Sequence, residues 1–199
     1  MKKRFLDSTI NFIKRYNSYS ERDEKLLRYG LEGLYLTITK LVIILLLALV
    51  FKILKEVILV IIIFNIIRYF GFGFHAEKSY ECLFFSIVCF ILIPLLFINI
   101  DISLNWSLGI SVFCILNYLV FAPADTIKRP LPNKKKRLIR KILTIVVGCI
   151  YTLVIGLYNN SYVTMLFLSA MVIQAIAVNP LTYSLFGQPY NNYKSLKIA

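Results

Sequence analysis

The chain has 199 residues, of which 59% are apolar and only 17% charged, well below the roughly 25% charged share of soluble domains. Its mean hydropathy of +0.74 leaves more apolar side chains than so short a chain can bury, so the surplus is expected to face lipid. Eight Gly, six Pro and four Cys exclude a collagen-like fibre, a disordered tail and a disulfide scaffold, and the formal net charge of +13 reads as loop charge of a membrane protein, with no nucleic acid as partner.

Residues 1–33 form an arm ahead of the apolar runs. Phe5, Leu6, Ile10, Ile13 and Tyr16 recur near helical spacing, with Lys2, Lys3, Arg4, Lys14 and Arg15 available to anionic headgroups. That pattern fits either a helix lying on the inner leaflet or a solvated arm. No secretory signal is visible, because the first uninterrupted apolar run starts at Leu41, so the N-terminus is expected to stay attached. Ser18 and Glu21 have capping-box spacing, and Glu21, Asp23 and Glu24 suit the positive end of a helix.

A bilayer core about 30 Å thick takes roughly 20 helical residues. Six apolar stretches meet or approach that length, at residues 34–51, 53–69, 82–100, 104–122, 142–158 and 162–178. The first two are separated by little more than Lys52 and predict a tight helical hairpin near the outer surface. Pro94 lies inside the third stretch, where it removes a backbone donor and is expected to kink the helix. Residues 179–199 form a short polar tail. The prediction is all-α: a single membrane domain, a polytopic bundle of about six transmembrane helices.

Loop charge orients it. The N-terminal arm, the 68–81 connection, the 123–141 loop and the tail together hold 20 of the 23 Lys and Arg. The positive-inside rule therefore assigns these four segments, and both termini, to the cytoplasm. The 128–141 basic cluster has topology and contact with anionic lipid as its default role.

Chemistry concentrates between the second and third stretches, in Arg68-Tyr-Phe-Gly-Phe-Gly-Phe-His75-Ala-Glu-Lys-Ser-Tyr-Glu-Cys82, which contains the chain's only histidine. Cys89, Cys114 and Cys149 sit inside apolar runs and read as reduced packing residues, whereas Cys82 has charged and polar neighbours. A thiol reacts as thiolate, so a nucleophilic Cys82 needs a base such as His75 or the positive start of a helix. On one continuous helix the two would be about 10.5 Å apart along the axis, so a dyad requires the helix to break between them. Gly71 and Gly73 give freedom for a fold-back, and Ser79 is placed to cap a helix with Cys82 in its first turn.

Each of these residues also has a plainer reading. His75 fits a hydrogen-bonded interfacial residue, Cys82 inert packing, and the glycines a simple helix end. Arg68 fits a snorkelling anchor, a substrate-carboxylate holder or an organiser of the loop. One His and one Cys are too few for a metal without Glu77 or Glu81, so no metal or other cofactor is expected.

The pattern Arg68-x4-Gly73-x-His75-x6-Cys82 between two spans resembles the accessory gene regulator B (AgrB) family, membrane endopeptidases that mature cyclic quorum-sensing peptides in Gram-positive bacteria. The run Ala122-Pro-Ala-Asp125-Thr-Ile-Lys-Arg-Pro-Leu-Pro132, followed by Lys134-Lys135-Lys136-Arg137, resembles the proline-rich basic loop these proteins carry after their fourth span. The resemblance implies a cysteine peptidase with Cys82 as nucleophile, His75 as base and acid, and Arg68 and Gly73 in support. Its substrate would be an AgrD-type propeptide whose acidic C-terminal segment is removed through a Cys82 thioester before closure to a thiolactone. It also implies a homodimer in the cell membrane of a Gram-positive bacterium, with its site at the cytoplasmic face. Glu77, Glu81 and Asp125 are open as a third member of the site, the Cys82 N–H as an oxyanion donor, and Lys134, Lys135, Lys136 and Arg137 as a landing site for the acidic segment. A small transporter or exporter and a non-catalytic membrane scaffold are the alternatives, although spans so poor in charge disfavour a transporter.

Overall fold

The computed structural model describes residues 2–15, 20–76, 78–126, 130–158 and 160–194, and among them there are helices and connections but no β-strand. They divide into two units, residues 1–46 and 47–199. The first contains α1 (Lys2–Lys14) and most of α2 (Glu21–Val50). Leu6 and Ile10, one turn apart, are buried, while Phe5 and Phe12 stay exposed. The Phe5 ring meets Tyr35 at 5.4 Å, Arg28 donates to Asp7, and Lys14 Nζ lies 2.5 Å from Glu24. These partners run in opposite directions along the two helices, so α1 folds back antiparallel to α2. The arm is thus a packed helix rather than irregular solvated chain, its exposed ion pairs each worth about 0–1 kcal/mol.

The start of α2 is capped by a residue other than the expected one. Ser20 Oγ accepts from the Asp23 N–H at 3.2 Å and donates to Asp23 Oδ2 at 2.7 Å. This reciprocal pattern satisfies an amide the helix leaves without an internal acceptor. Ser18, the expected cap, lies outside the described residues.

In the second unit α2 gives way to α3 (Leu54–Gly71) through three residues, with Lys52 at φ 59° and the N–H of Ile53 donating to Ala48 O at 2.9 Å. Next come α4 (Ser79–Asn99), α5 (Leu104–Phe121), α6 (Lys134–Tyr158), α7 (Ser161–Val178) and the short α8 (Pro180–Leu185), then a 3-10 turn at Asn192–Lys194. All six expected apolar stretches lie on helices. Helices α2, α4, α5, α6 and α7 are long and apolar enough to cross a bilayer. Helix α3 matches α5 and α7 in length, at 18 residues, but carries Lys55, Glu56 and Arg68 near its ends. Helices α2 and α6 begin well before their apolar stretches, α6 with a turn of Lys134 to Arg137.

Burial explains the arrangement. Helix α7 is enclosed by α3, α5, α6 and the second half of α4, and Leu168, Ala170, Met171, Ile173, Gln174 and Ala177 are fully buried in it. The helices around it bury one stripe each: Val57, Val60, Phe64 and Ile67 of α3 recur at helical spacing, as do Ser111, Cys114 and Tyr118 of α5 and Thr144, Gly148, Tyr151 and Ile155 of α6. Their other faces expose Phe113, Leu116, Leu153 and Leu157, the distribution that lipid rather than water tolerates. Two tyrosine hydroxyls bond across helices, Tyr118 with Met171 O at 2.5 Å and Tyr151 with Ile63 O at 2.8 Å. Within α4 the residues Val88–Leu92 form a π-helical turn, so that the Ile93 N–H reaches Val88 O. Widening just before Pro94 moves the register of the carbonyls its ring would otherwise strike, which localises the expected distortion.

Residues 72–76, 122–126 and 186–194 meet at one end of this unit, joined by the hydrogen bonds described below. At the other end, residues 101–104 line a cavity with Ser107, Ser161 and Thr164. Single cysteines introduced at Asn133 and Gln188 should therefore react with a membrane-impermeant thiol reagent from the same face of a vesicle, and one at Asp101 from the opposite face. Labelling of Asn133→Cys and Gln188→Cys from different faces would contradict the fold.

Candidate active site

The helix does break between His75 and Cys82, and the backbone shows how. The last bond of α3 runs from the Phe72 N–H to Arg68 O at 2.9 Å. Phe72 then turns to φ 53°, ψ −133°, and Gly73 follows at φ 125°. A positive φ at Phe72 costs on the order of 1–3 kcal/mol and persists only where surroundings over-determine it. Here they do. The Ala124 N–H donates to Gly71 O at 3.1 Å, the Gly73 N–H to Ala124 O at 2.9 Å, and the Phe74 N–H to Ala177 O at 2.6 Å. Gln174, the one amide side chain buried in α7, donates from Nε2 to Phe72 O at 3.0 Å. Gly73 is required twice over, since a Cβ there would lie 2.9 Å from Ala177 O in a backbone conformation that L side chains rarely adopt.

Side chains tighten the same loop. Arg68, partly buried, donates to Phe74 O at 2.8 Å and lies over the Phe64 ring at 5.3 Å. The bond to Phe74 O ties Arg68 to the loop, and its electrostatic neighbours include Tyr183, Cys82 and Cys89. Arg140 of α6 donates to Tyr69 O at 2.8 Å and covers the Phe72 ring at 4.4 Å. Phe74, only 2% exposed, stacks on Phe186 at 4.7 Å and meets Phe85 and Tyr183 edge-on at 5.1 and 5.7 Å. Phe85 lies one turn after Cys82 on α4, so this aromatic cluster fastens the residue before His75 to the helix that carries Cys82.

His75 is exposed on the loop and Cys82 is half-buried. Helix α4 starts at Ser79 with Lys78 at its cap position in extended conformation and no side-chain cap. Ser79 is therefore the first helical residue rather than the cap, and Cys82 occupies the first turn as expected. The Cys82 N–H is committed to Lys78 O at 3.1 Å, which corrects its reading as an oxyanion donor. The earlier amides of this turn, at Ser79, Tyr80 and Glu81, precede that first helical bond. Glu81 Oε1 pairs with Lys78 Nζ at 3.3 Å, while its Oε2 is buried without a hydrogen-bond partner. Hydrogen bonding to Tyr80 and then Glu81 raises the Lys78 ammonium further above its ordinary value. Glu77 lies outside the described residues.

Asp125 sits beside the loop but faces away from it chemically. At 2% exposure, its Oδ1 accepts from the Asn192 N–H at 3.0 Å and its Oδ2 from the N–H groups of Tyr193 and Leu131 at 2.8 and 3.2 Å. The Tyr183 hydroxyl donates to the Ala124 and Asp125 carbonyls, both at 3.2 Å. Burial pushes that phenol well above its ordinary range against the opposing pull of Arg68, and pushes Tyr190 to about 12. Lys134, Lys135 and Lys136 are exposed, whereas Arg137 is half-buried with its guanidinium 3.2 Å from the Tyr193 ring. Lys128 and Arg129 of the same basic loop lie outside the described residues. Among the described residues no three His, Cys, Asp or Glu side chains gather where they could hold a metal ion.

Phe72, Gln174, Arg140, Tyr183, Ala124 and Ala177 hold the site together and were not expected from sequence. Only Gln174 left a visible signal there, as a lone amide inside an otherwise apolar stretch, where polar groups are costly and need partners.

Fold and site together define an all-α integral membrane protein with a histidine loop and a helix-start cysteine braced at one end of its bundle. Comparison with known proteins makes this specific. The profile of the AgrB family, accessory gene regulator B, matches residues 6–178. A putative AgrB-like protein of Listeria innocua is 34% identical over 168 residues, covering 84% of this chain and 82% of its own. Another from Clostridium acetobutylicum is 28% identical over 169 residues, with 84% and 80% covered. The accessory gene regulator protein B of Staphylococcus aureus is 28% identical over 120 residues, 60% of this chain and 63% of its own. No solved structure matches. The chain belongs to the AgrB family, and with it to accessory gene regulator quorum sensing.

Two glycines separate the requirement for the clamp from a generic effect of adding a methyl group. Gly73→Ala should destabilise the purified protein by about 1–3 kcal/mol and expose the 72–76 amides to exchange. Gly109→Ala, a helical position with open space around it, should be neutral or stabilising by up to about 1 kcal/mol. Thermal unfolding in detergent checks both, and equal effects would contradict the clamp.

Proposed function

We propose that the protein is a membrane cysteine endopeptidase that cleaves the acidic C-terminal segment from an AgrD-type propeptide and closes the remainder into a thiolactone. The observation that carries this reading is the break that puts the only histidine on a braced loop directly before a helix whose first turn holds a half-buried cysteine. Family membership supports it. Cys82 lies on the first turn of α4, beside helix amides that have no internal acceptor.

In this reaction His75 takes the Cys82 proton and the sulfur attacks the scissile carbonyl carbon. The oxyanion that forms is met by amides of the α4 start ahead of Cys82. Collapse breaks the C–N bond, the His75 proton passes to the departing amine, and the acidic segment leaves with a new N-terminus. The rest of the propeptide stays on Cys82 as a thioester. A cysteine thiol of the substrate then gives its proton to His75 and attacks the thioester carbon. Cys82 departs as thiolate, recovers the proton, and the ring is closed. One thioester replaces another, so cyclisation needs no external energy source. Arg68 and Gly73 act on this chemistry by fixing the loop, and Glu81, whose Oε2 is buried without a hydrogen-bond partner, precedes Cys82 directly in sequence.

Under the positive-inside rule the site faces the cytoplasm of a Gram-positive bacterium, with both termini on that side. The exposed Lys134, Lys135 and Lys136, with Arg137, attract the acidic segment and anionic lipid, an attraction weakened by salt. The protein works as a homodimer. Reconstituted with its cognate propeptide, it should yield by mass spectrometry an adduct on Cys82 equal to the propeptide minus its C-terminal segment. His75→Gln should slow its formation by about 10²–10⁴-fold, and Lys134, Lys135 and Lys136 changed together to Glu should raise the half-saturating propeptide concentration. Processing by Cys82→Ala at the unmodified rate would overturn the proposal.

A further inference from the structure

The family match ends at residue 178, yet the residues after it are bound to the site through specific contacts. Helix α8 opens with Asn179, whose side chain accepts from the Leu181 N–H at 2.9 Å, and Thr182 Oγ1 donates to Ile176 O at 2.6 Å, which turns the chain back over the end of α7. Phe186 then stacks on Phe74, and the Tyr183 hydroxyl reaches the Ala124 and Asp125 carbonyls. Farther on, the Tyr190 hydroxyl donates to Phe121 O at 3.0 Å, and the Asn192 and Tyr193 amides close on the Asp125 carboxylate.

Asp125 is the hinge of these contacts. A buried carboxylate is costly unless donors compensate it, and three backbone amides do so here. Two come from the C-terminal segment and one from the proline-rich loop, so the charge ties these segments to each other. The preceding residue, Ala124, exchanges backbone hydrogen bonds with Gly71 and Gly73. An unbroken chain of contacts therefore runs from Tyr193 through Asp125 and Ala124 to Gly73, two residues from His75. A second route runs from Phe186 through Phe74.

We propose that residues 180–194 form a strap, latched by the Asp125 carboxylate, that positions the His75 loop for reaction at Cys82. Asp125, Tyr183 and Phe186 are then positioning residues rather than groups that touch the substrate. Because the latch uses backbone amides, it depends on the N–H of Tyr193 more than on the identity of nearby exposed side chains. This inference rests on the peptidase reading for its catalytic consequence but not for its structural one.

The test measures three quantities on the full-length protein: the single-turnover rate of Cys82 acylation, the half-saturating propeptide concentration, and hydrogen exchange at the Gly73 and Phe74 amides. Asp125→Ala removes the acceptor, Tyr193→Pro removes a donor, and Lys194→Ala, an exposed neighbour, is the control. Asp125→Ala and Tyr193→Pro should each lower the acylation rate by about tenfold to a hundredfold, the scale of a small misplacement of reacting groups. Each should leave half-saturation nearly unchanged and speed exchange at Gly73 and Phe74. The double variant should be little worse than Asp125→Ala alone, since both act on one interaction, and Lys194→Ala should match the unmodified protein. If Asp125→Ala does not fold, Tyr193→Pro carries the test. Faster exchange at Asn192 with unchanged exchange at Gly73 and Phe74 would overturn the strap. An unmodified protein that forms no adduct would instead sink the peptidase reading, and the exchange data would still decide the strap.

Discussion

Everything at the candidate site depends on how a non-helical stretch between two apolar helices satisfies its backbone. Residues 72–74 leave the helix at the end of the bundle, where each unpaired N–H or C=O held away from water is costly. The chain solves this with two distant carbonyls, Ala124 O and Ala177 O, and one side chain, Gln174. Those partners force the positive φ of Phe72 and Gly73 and leave no room for a Cβ at Gly73. The position of His75 is a consequence. The loop is bonded on one side to the proline-rich connection and on the other to α7, with Arg68 drawing in the Phe74 carbonyl from α3.

The same constraint explains why an apolar bundle carries so specific an end. Most faces of α3, α5 and α6 are smooth and apolar, and only one stripe of each packs on α7. At the end of the bundle the material changes to buried aromatic rings, amide-bound carboxylate and paired hydroxyls. The Tyr183 and Tyr190 hydroxyls donate to carbonyls of the 121–125 segment, and burial raises both phenols further above their ordinary value. Membership of the AgrB family gives this end its biological setting in quorum sensing, and the proposed thioester chemistry uses His75 on the connection before α4 and Cys82 in its first turn.

Much of the fold was legible in the sequence because hydropathy and helical length are local properties. The six apolar runs all lie on helices, and the break that a dyad of His75 and Cys82 would require is present between Gly71 and Ser79. Glu21, Asp23 and Glu24 did mark the start of α2, whereas the start of α6 was misjudged, because its charged turn extends the helix without extending the apolar run. The cap of α2 fell to Ser20, since both serines offer an oxygen and only the backbone decides which one meets the third amide. Arg68, Gly73, His75 and Cys82 stood out as unusual residue types at fixed spacing. Ala124 and Ala177 could not, because alanine carries no chemical signal and their function lies in a carbonyl that any residue possesses. Asp125 was visible as an acid beside a proline-rich run, but its engagement with Asn192 and Tyr193 spans nearly seventy positions and becomes apparent only once the chain is folded.

The central claim is that the braced loop makes the imidazole of His75 govern the thiol of Cys82. It is tested most directly by the rate at which Cys82 is alkylated as a function of pH, in the absence of substrate. Cys89 and Cys114 are buried and Cys149 is exposed, so a Cys149→Ala background isolates the signal. The account predicts that His75→Gln lowers the rate by about tenfold or more near neutral pH and changes the shape of the profile. Superimposable profiles with and without the imidazole would contradict it.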